Sequence, residues 1–228
     1  MAHASMRAVG ADVNDLVRAL LEVAGTLMAY VDWEIEAEDP LFDPTAARAA
    51  RDHGILAETI RTWPGALRSA HPDAGMSAVA GSAEGRTAQA ELRERAAWLV
   101  ADHPFQYGYG EGSPLDKLVR ANGKVLMLGA PLDTITLLHF SEHAARIPDK
   151  RITRYRRRMA HGVVELEEFD TCDPVHASLP DDFFADIASD YLATGKGASG
   201  VVGRAKSYAF DAADLHRFAV AWLEEKVR

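Results

Sequence analysis

Four of the nine histidines, two acidic clusters and one basic run are the residues of this chain whose types and spacing could do chemistry. His139 and His143 stand four apart in TITLLHFSEH, with Thr136 three positions before His139. A helix would set all three on one face. Histidine exchanges protons near neutral pH, so His139 is a candidate general base. The plainer reading is a half-buried helix histidine with an ordinary hydrogen bond. The same i, i+4 spacing also occurs in metal sites, but a metalloprotease motif needs Glu directly after the first histidine. Phe140 stands there, and Glu142 falls at the wrong offset. His3 shares a period-two face with Met1 and Ser5, so it could face a cleft or simply solvent. His71, in the turn-prone RSAHP segment, could hold a substrate or brace its loop.

The first acidic cluster is Asp32, Glu34, Glu36, Glu38 and Asp39. The second is Glu165, Glu167, Glu168, Asp170 and Asp173. Such runs are usually solvated loop surface, yet two of them near strand ends would suit a polycationic ligand. Arg146, Lys150, Arg151, Arg154, Arg156, Arg157 and Arg158 form a basic run that could hold phosphates or be an exposed hairpin. The glycines of YGYGEGSP (107–114) would let backbone approach a phosphate or a pantetheine chain. They do not form a dinucleotide-binding fingerprint, and neither a Walker motif nor a G-x-S-x-G elbow occurs.

Alternating strands and helices must position these residues. Met1–Ser5 reads as a strand, Val13–Val23 as an amphipathic helix, and Thr26–Trp33 as a buried strand. The acidic stretch from Glu34 to Pro44 reads as a loop. Ile55–Arg61, Ala88–Val100 and Leu115–Arg120 read as helices. Lys124–Leu128 is a buried strand closed by Gly129-Ala130-Pro131. Asp133 or Thr134 should cap a helix running to about Arg146, which would put His139 about two turns in. Ile152–Tyr155, Val163–Phe169 and Ala205–Phe210 read as strands, and Phe183–Leu192 as a helix. Asp211 should cap a last helix with an apolar stripe of Leu215, Phe218, Ala219 and Trp222. The expectation is one α/β domain over 1–228, with helices covering a largely central mixed sheet.

Composition narrows the function classes. At 48% hydrophobic and 26% charged, 228 residues can build their own core, which excludes disorder, collagen and coiled coil. One cysteine, Cys172, permits neither a disulfide framework nor a cysteine-based zinc site, and a reducing, cytoplasmic setting is expected. A net charge of −9 argues against a nucleic-acid partner and is compatible with a cationic ligand. No apolar stretch is long enough to span a membrane and no signal peptide is visible, so no membrane association is expected.

The segments HASMRAVG (3–10), GTLMAYVDW (25–33), FDPTAARA (42–49), the stretch 67–81, GYGEGSPLDKLV (108–119) and VLMLGAPLDTITLLHFSEH (125–143) occur in one order. DTCDP (170–174) and YAFDAADLHRFAVAWLE (208–224) follow them. In this order they resemble the aminoglycoside 3-N-acetyltransferase family over nearly the whole chain. The resemblance implies the family's own α/β fold, distinct from the common acetyl-CoA-binding acetyltransferase fold. It implies acetyl transfer from acetyl-CoA, without a metal, to the 3-amine of the 2-deoxystreptamine ring of an aminoglycoside, conferring resistance. By the same resemblance, His139 is the catalytic histidine and His3 a second active-site histidine. Glu168 and Asp170 are carboxylates near that histidine that hold substrate ammonium groups. An acidic residue of the Asp32–Asp39 stretch, with Asp32 as the candidate, is expected to help hold the substrate, and His71 stays a candidate substrate contact on its loop position alone. Ser5, Met6, Arg7, Val9, Ser69, Ser113 and Thr136 fall in segments forming the CoA-binding surface. A monomer or homodimer is expected. The family carries a helix before the first strand, whereas this chain opens inside that strand, so preceding residues are expected. Direct transfer fits better than an acyl-enzyme, because acidic surroundings would disfavour a Cys172 thiolate. Two other classes stay open: a metal-dependent hydrolase using His3, His71, His139 and His143, and a non-enzymatic binder of cationic ligands.

Overall fold

The computed structural model describes residues 1–33, 41–148, 150–169, 179 and 183–227. In chain order the elements are β1 (Ala2–Ala4), α1 (Met6–Val9), α2 (Val13–Ala24), β2 (Thr26–Tyr30), β3 (Leu41–Phe42), α3 (Gly54–Arg61), β4 (Leu67–Arg68), β5 (Met76–Ala80) and α4 (Arg86–Val100). They continue as α5 (Pro114–Arg120), β6 (Lys124–Leu128), α6 (Leu137–Ala144), β7 (Ile152–Met159), β8 (Gly162–Phe169), α7 (Phe183–Ala193), β9 (Ala198–Val202), β10 (Ala205–Asp211) and α8 (Ala212–Lys226). Side-chain caps open several helices, the expected one at Asp211 among them. Asp12 accepts from the Asn14 and Asp15 amides at the start of α2, and Asp211 from the Asp214 amide at the start of α8.

The strands form three sheets rather than one central one. β1 runs parallel to β6, which pairs antiparallel with β10, and β10 with β9. β2, β5 and β4 form an antiparallel sheet. β3 joins the β7–β8 hairpin in the third. That hairpin pairs arginines with glutamates across one exposed face and buries only a few residues, such as Leu166 and Glu168, on the other, so it does not lie at the buried centre of a sheet. The second sheet separates two cores. Met28 of β2 packs with Met76, Met127 and the residues of α4 to α8. Leu27, Ala29 and Val31 pack with α2 and α3 on the other side. This is the two-residue alternation of a strand buried on both faces. β5 (MSAVA) escapes a reading by strand propensity because Ala, Ser and Met carry little of it. β9 is an exposed edge strand. Among the described residues, no helix is long and apolar enough to cross a membrane.

The chain between β6 and α6 also differs from expectation. Leu132–Thr134 form a separate 3₁₀ turn, closed by a 2.7 Å bond from the Thr134 hydroxyl to the Pro131 carbonyl. With that hydroxyl spent inside the turn, neither Asp133 nor Thr134 caps a long helix. α6 begins at Leu137, and His139 sits in its first turn rather than two turns in. α6 stops at Ala144, shortly before Pro148, which favours an extended residue ahead of it. The Lys150 ammonium binds the His143 and Ala145 carbonyls at 2.9 and 2.6 Å, satisfying the end of the helix.

Candidate active site

His139 projects from the first turn of α6 into a cavity of about 690 Å³. Its Nδ1 lies 2.8 Å from the Glu142 Oε2, one helical turn on. A carboxylate accepts, so Nδ1 carries the hydrogen and donates it. Nε2 is then the nitrogen left with a lone pair. Glu142 is buried, with its side chain only 3% exposed, while 28% of the His139 side chain remains exposed. A ring held this way can take a proton from a ligand at its Nε2, and the carboxylate stabilises the imidazolium that results.

The opposite wall comes from β1, α1 and the start of α3. His3, Ser5, Met6 and Arg7 line it, and Thr136 lies near His139. The His3 Nε2 is a buried atom without a hydrogen-bond partner among the described residues. Burial, aided by the nearby N-terminal ammonium and His53, pushes the His3 pKa down to about 3. His3 is therefore neutral at neutral pH and can offer a hydrogen bond but no charge. Asp52 and Asp133 also border the cavity. Asp32 does not line the cavity but lies 3.8 Å from the Nε2 of His53, which does.

The remaining residues singled out in the sequence are placed elsewhere. His71 is buried, not at the cavity. Its Nδ1 accepts the Ala74 and Asp73 amides at 2.8 and 3.2 Å, so its Nε2 donates to the Phe105 carbonyl at 3.3 Å. With both nitrogens spent, it braces its loop. Burial lowers its pKa to about 4. Ser69 and Ser113 are also buried, and their hydroxyls serve the backbone. Ser69 accepts the Met76 amide across the β4–β5 turn, and Ser113 caps α5 through the Asp116 amide. Val9 is packed in the core beneath α1. Glu168 does not meet His139. Its Oε1 lies 2.6 Å from the Nε2 of His143, and both side chains are nearly buried. Asp170 and Cys172 lie outside the described residues, as do Glu34, Glu36, Glu38, Asp39 and Asp173.

Arg154, Arg156, Arg157 and Arg158 of the basic run lie on β7, and several of them answer carboxylates rather than a phosphate. Arg154 pairs with Glu167 at 2.5 Å and Arg156 with Glu165 at 3.3 Å across the hairpin, and Arg157 pairs with Asp73 at 2.9 Å. The glycines of the 107–114 loop make room for two histidines. A Cβ on Gly108 would stand 2.6 Å from the His71 Nε2, and one on Gly110 would stand 3.0 Å from the His143 Nδ1.

Sequence reasoning missed Glu142, Tyr109, Tyr30 and His53. Glu142 carried a usable signal, because i, i+3 on a helix brings it under His139. Among the described residues, no three His, Cys, Asp or Glu side chains converge as a metal site would require.

The comparisons agree on one family. The model of the aminoglycoside 3-N-acetyltransferase family matches residues 1–224. Aminoglycoside N(3)-acetyltransferase III of Pseudomonas aeruginosa is 44% identical to this chain, over 99% of the chain and 87% of the relative. Among solved structures, AAC-IIIb in binary complex with CoASH superposes with a TM-score of 0.88 at 44% identity, covering 100% of this chain and 90% of that one. AAC-VIa bound to sisomicin does so with a TM-score of 0.85 at 36% identity, covering 100% and 91%. A match this long and this similar makes the chain a member of the aminoglycoside 3-N-acetyltransferase family.

Proposed function

We propose that this chain acetylates the 3-amine of the 2-deoxystreptamine ring of an aminoglycoside by direct transfer from acetyl-CoA, with His139 as the general base. The observation that carries the reading is the 2.8 Å bond between His139 Nδ1 and Glu142 at the wall of the cavity, which leaves Nε2 for the substrate. An ammonium cannot attack a thioester, so the amine must enter in its neutral form. Its nitrogen bonds to the thioester carbonyl carbon while its remaining excess proton passes to Nε2. The tetrahedral oxyanion then collapses, the C–S bond breaks, and the proton on His139 is available to the departing thiolate.

The residues present suit both substrates. The cavity is lined by His3, whose Nε2 has no hydrogen-bond partner among the described residues, and by Arg7, fitting a polar acyl carbonyl and an anionic CoA. His3, Ser5, Met6, Arg7 and Thr136 form the acetyl-CoA side of the site. Asp32, Asp52 and Asp133, with Glu168 and Asp170 of the second acidic cluster, supply negative charge that draws in a polycationic substrate. His3 positions the acyl group or the tetrahedral intermediate and takes no proton, since it is neutral above a pH of about 3.

The test is thiol release from acetyl-CoA with an aminoglycoside, measured against pH for His139→Ala and His3→Ala side by side. His139→Ala should lose about 10²–10⁴-fold in turnover and the rise of rate with pH. His3→Ala should lower kcat and keep that rise. Wild-type turnover in His139→Ala, or the reverse pattern in the two variants, overturns the assignment.

A further inference from the structure

The glycine-bearing loop brings one more side chain to the base. The ring of Tyr109 stands 4.9 Å from the His139 imidazole, with the two planes 36° apart. Phe184 meets the imidazole edge-on at 5.0 Å. Glu142 fixes where Nδ1 points, and these two rings limit how the imidazole can rotate about that bond.

Tyr109 is itself held. Its hydroxyl lies 2.6 Å from the hydroxyl of Tyr30, which lies 3.2 Å from the Asp73 carbonyl. The Tyr109 hydroxyl also lies 3.5 Å from that carbonyl, so either phenol can donate to the other while its partner donates to the Asp73 carbonyl. The Asp73 carboxylate is gripped by Arg157 through Nε at 3.0 Å and Nη2 at 2.9 Å. A line of contacts thus runs from β7 through the 71–75 loop to the face of His139. Burial raises the Tyr109 pKa well above 10, so this phenol stays neutral and is no rival base.

We propose that Tyr109 is a positioning residue for His139: its ring, anchored through its hydroxyl to Tyr30, fixes the imidazole plane so that Nε2 stays aimed into the cavity. This rests on His139 being the base. Small misplacements of a reacting group can cost as much as 10²-fold in rate, which gives such an anchor its purpose.

Tyr109→Phe, Tyr30→Phe, the double variant and Tyr109→Leu test it, with histidine side-chain ¹H–¹⁵N spectra beside the kinetics. The His139 signals are identified by their loss in His139→Ala. Tyr109→Leu should lower kcat roughly 10- to 100-fold with little change in either KM, and the Nδ1–H signal of His139 should weaken or split. Tyr109→Phe should show a smaller effect of the same kind. Tyr30→Phe should match it, and the double variant should be no worse than either single one, because the two hydroxyls act as one link. Three outcomes overturn the proposal: unchanged kcat in Tyr109→Phe and Tyr109→Leu, a loss carried by KM alone, or a loss of kcat with His139 signals identical to wild type. Should Tyr109→Leu fail to fold, the Phe variants carry the test. Full turnover in His139→Ala would remove the base and the proposal with it. Altered rates with unaltered spectra would remove only the positioning role.

Discussion

At the scale of the residue, two histidine–carboxylate pairs one helical turn apart divide the work. His139 faces the cavity and is backed by Glu142, whereas His143 and Glu168 face each other in a nearly dry setting. Removing one partner of a buried hydrogen bond commonly costs about 1–3 kcal/mol, because the other polar group is left unsatisfied. Glu168→Ala should therefore lose stability on that order in urea denaturation, and Glu168→Gln less, since the amide can still hydrogen-bond. If Glu168 also holds a substrate ammonium, the aminoglycoside KM of Glu168→Gln rises as well. A raised KM with unchanged stability would assign Glu168 to the substrate and not to His143. Asp32 belongs to the same question, since its carboxylate already accepts the Trp33 amide at 2.8 Å and lies near His53.

At the scale of the element, the loop between α4 and α5 sets the site's shape. Tyr107 has a φ of 55° and Gly112 a φ of 80°, so the chain turns sharply on either side of Tyr109. Gly108 and Gly110 allow that turn to press against His71 and His143. Overpacking usually costs about 1–3 kcal/mol, so Gly108→Ala should be destabilised by that amount. It should also lose kcat, because the Cβ forces Tyr109 away from His139. Wild-type stability and kcat in Gly108→Ala would show that the loop yields without moving Tyr109.

At the scale of the whole molecule, buried neutral histidines tie folding to pH. His3 and His103 are lowered to about 3 and His71 to about 4, in each case chiefly by burial. In the unfolded chain each takes a proton near pH 6.5. Between 6.5 and these lowered values the unfolded state holds more protons, so stability falls as pH falls through that window. Three such groups give a slope of up to about 4 kcal/mol per pH unit at its steepest. Urea midpoints at pH 7, 6 and 5 should drop accordingly. Equal midpoints at pH 7 and 5 would mean that these rings are not buried neutral.

What could be read from the sequence alone is what local periodicity and local hydrogen bonding control. The Asp211 cap, the helices α2, α3, α4, α5, α7 and α8, and strands β1, β2, β6, β7, β8 and β10 follow from spacings of 3.6 and 2.0 and from a short polar side chain at a helix start. His139 was legible because its whole segment, strand, turn and helix, is continuous in the chain. The partners of its neighbours were not. Whether Glu142 or Glu168 backs His139, whether His71, Ser69 and Ser113 face the cavity or the core, and whether Tyr109 touches the base depend on contacts between segments far apart in the chain. In these contacts, close packing and the need to satisfy every buried polar group select the partner. Those choices belong to the tertiary structure, and they decide which of the residues visible in the sequence can do chemistry.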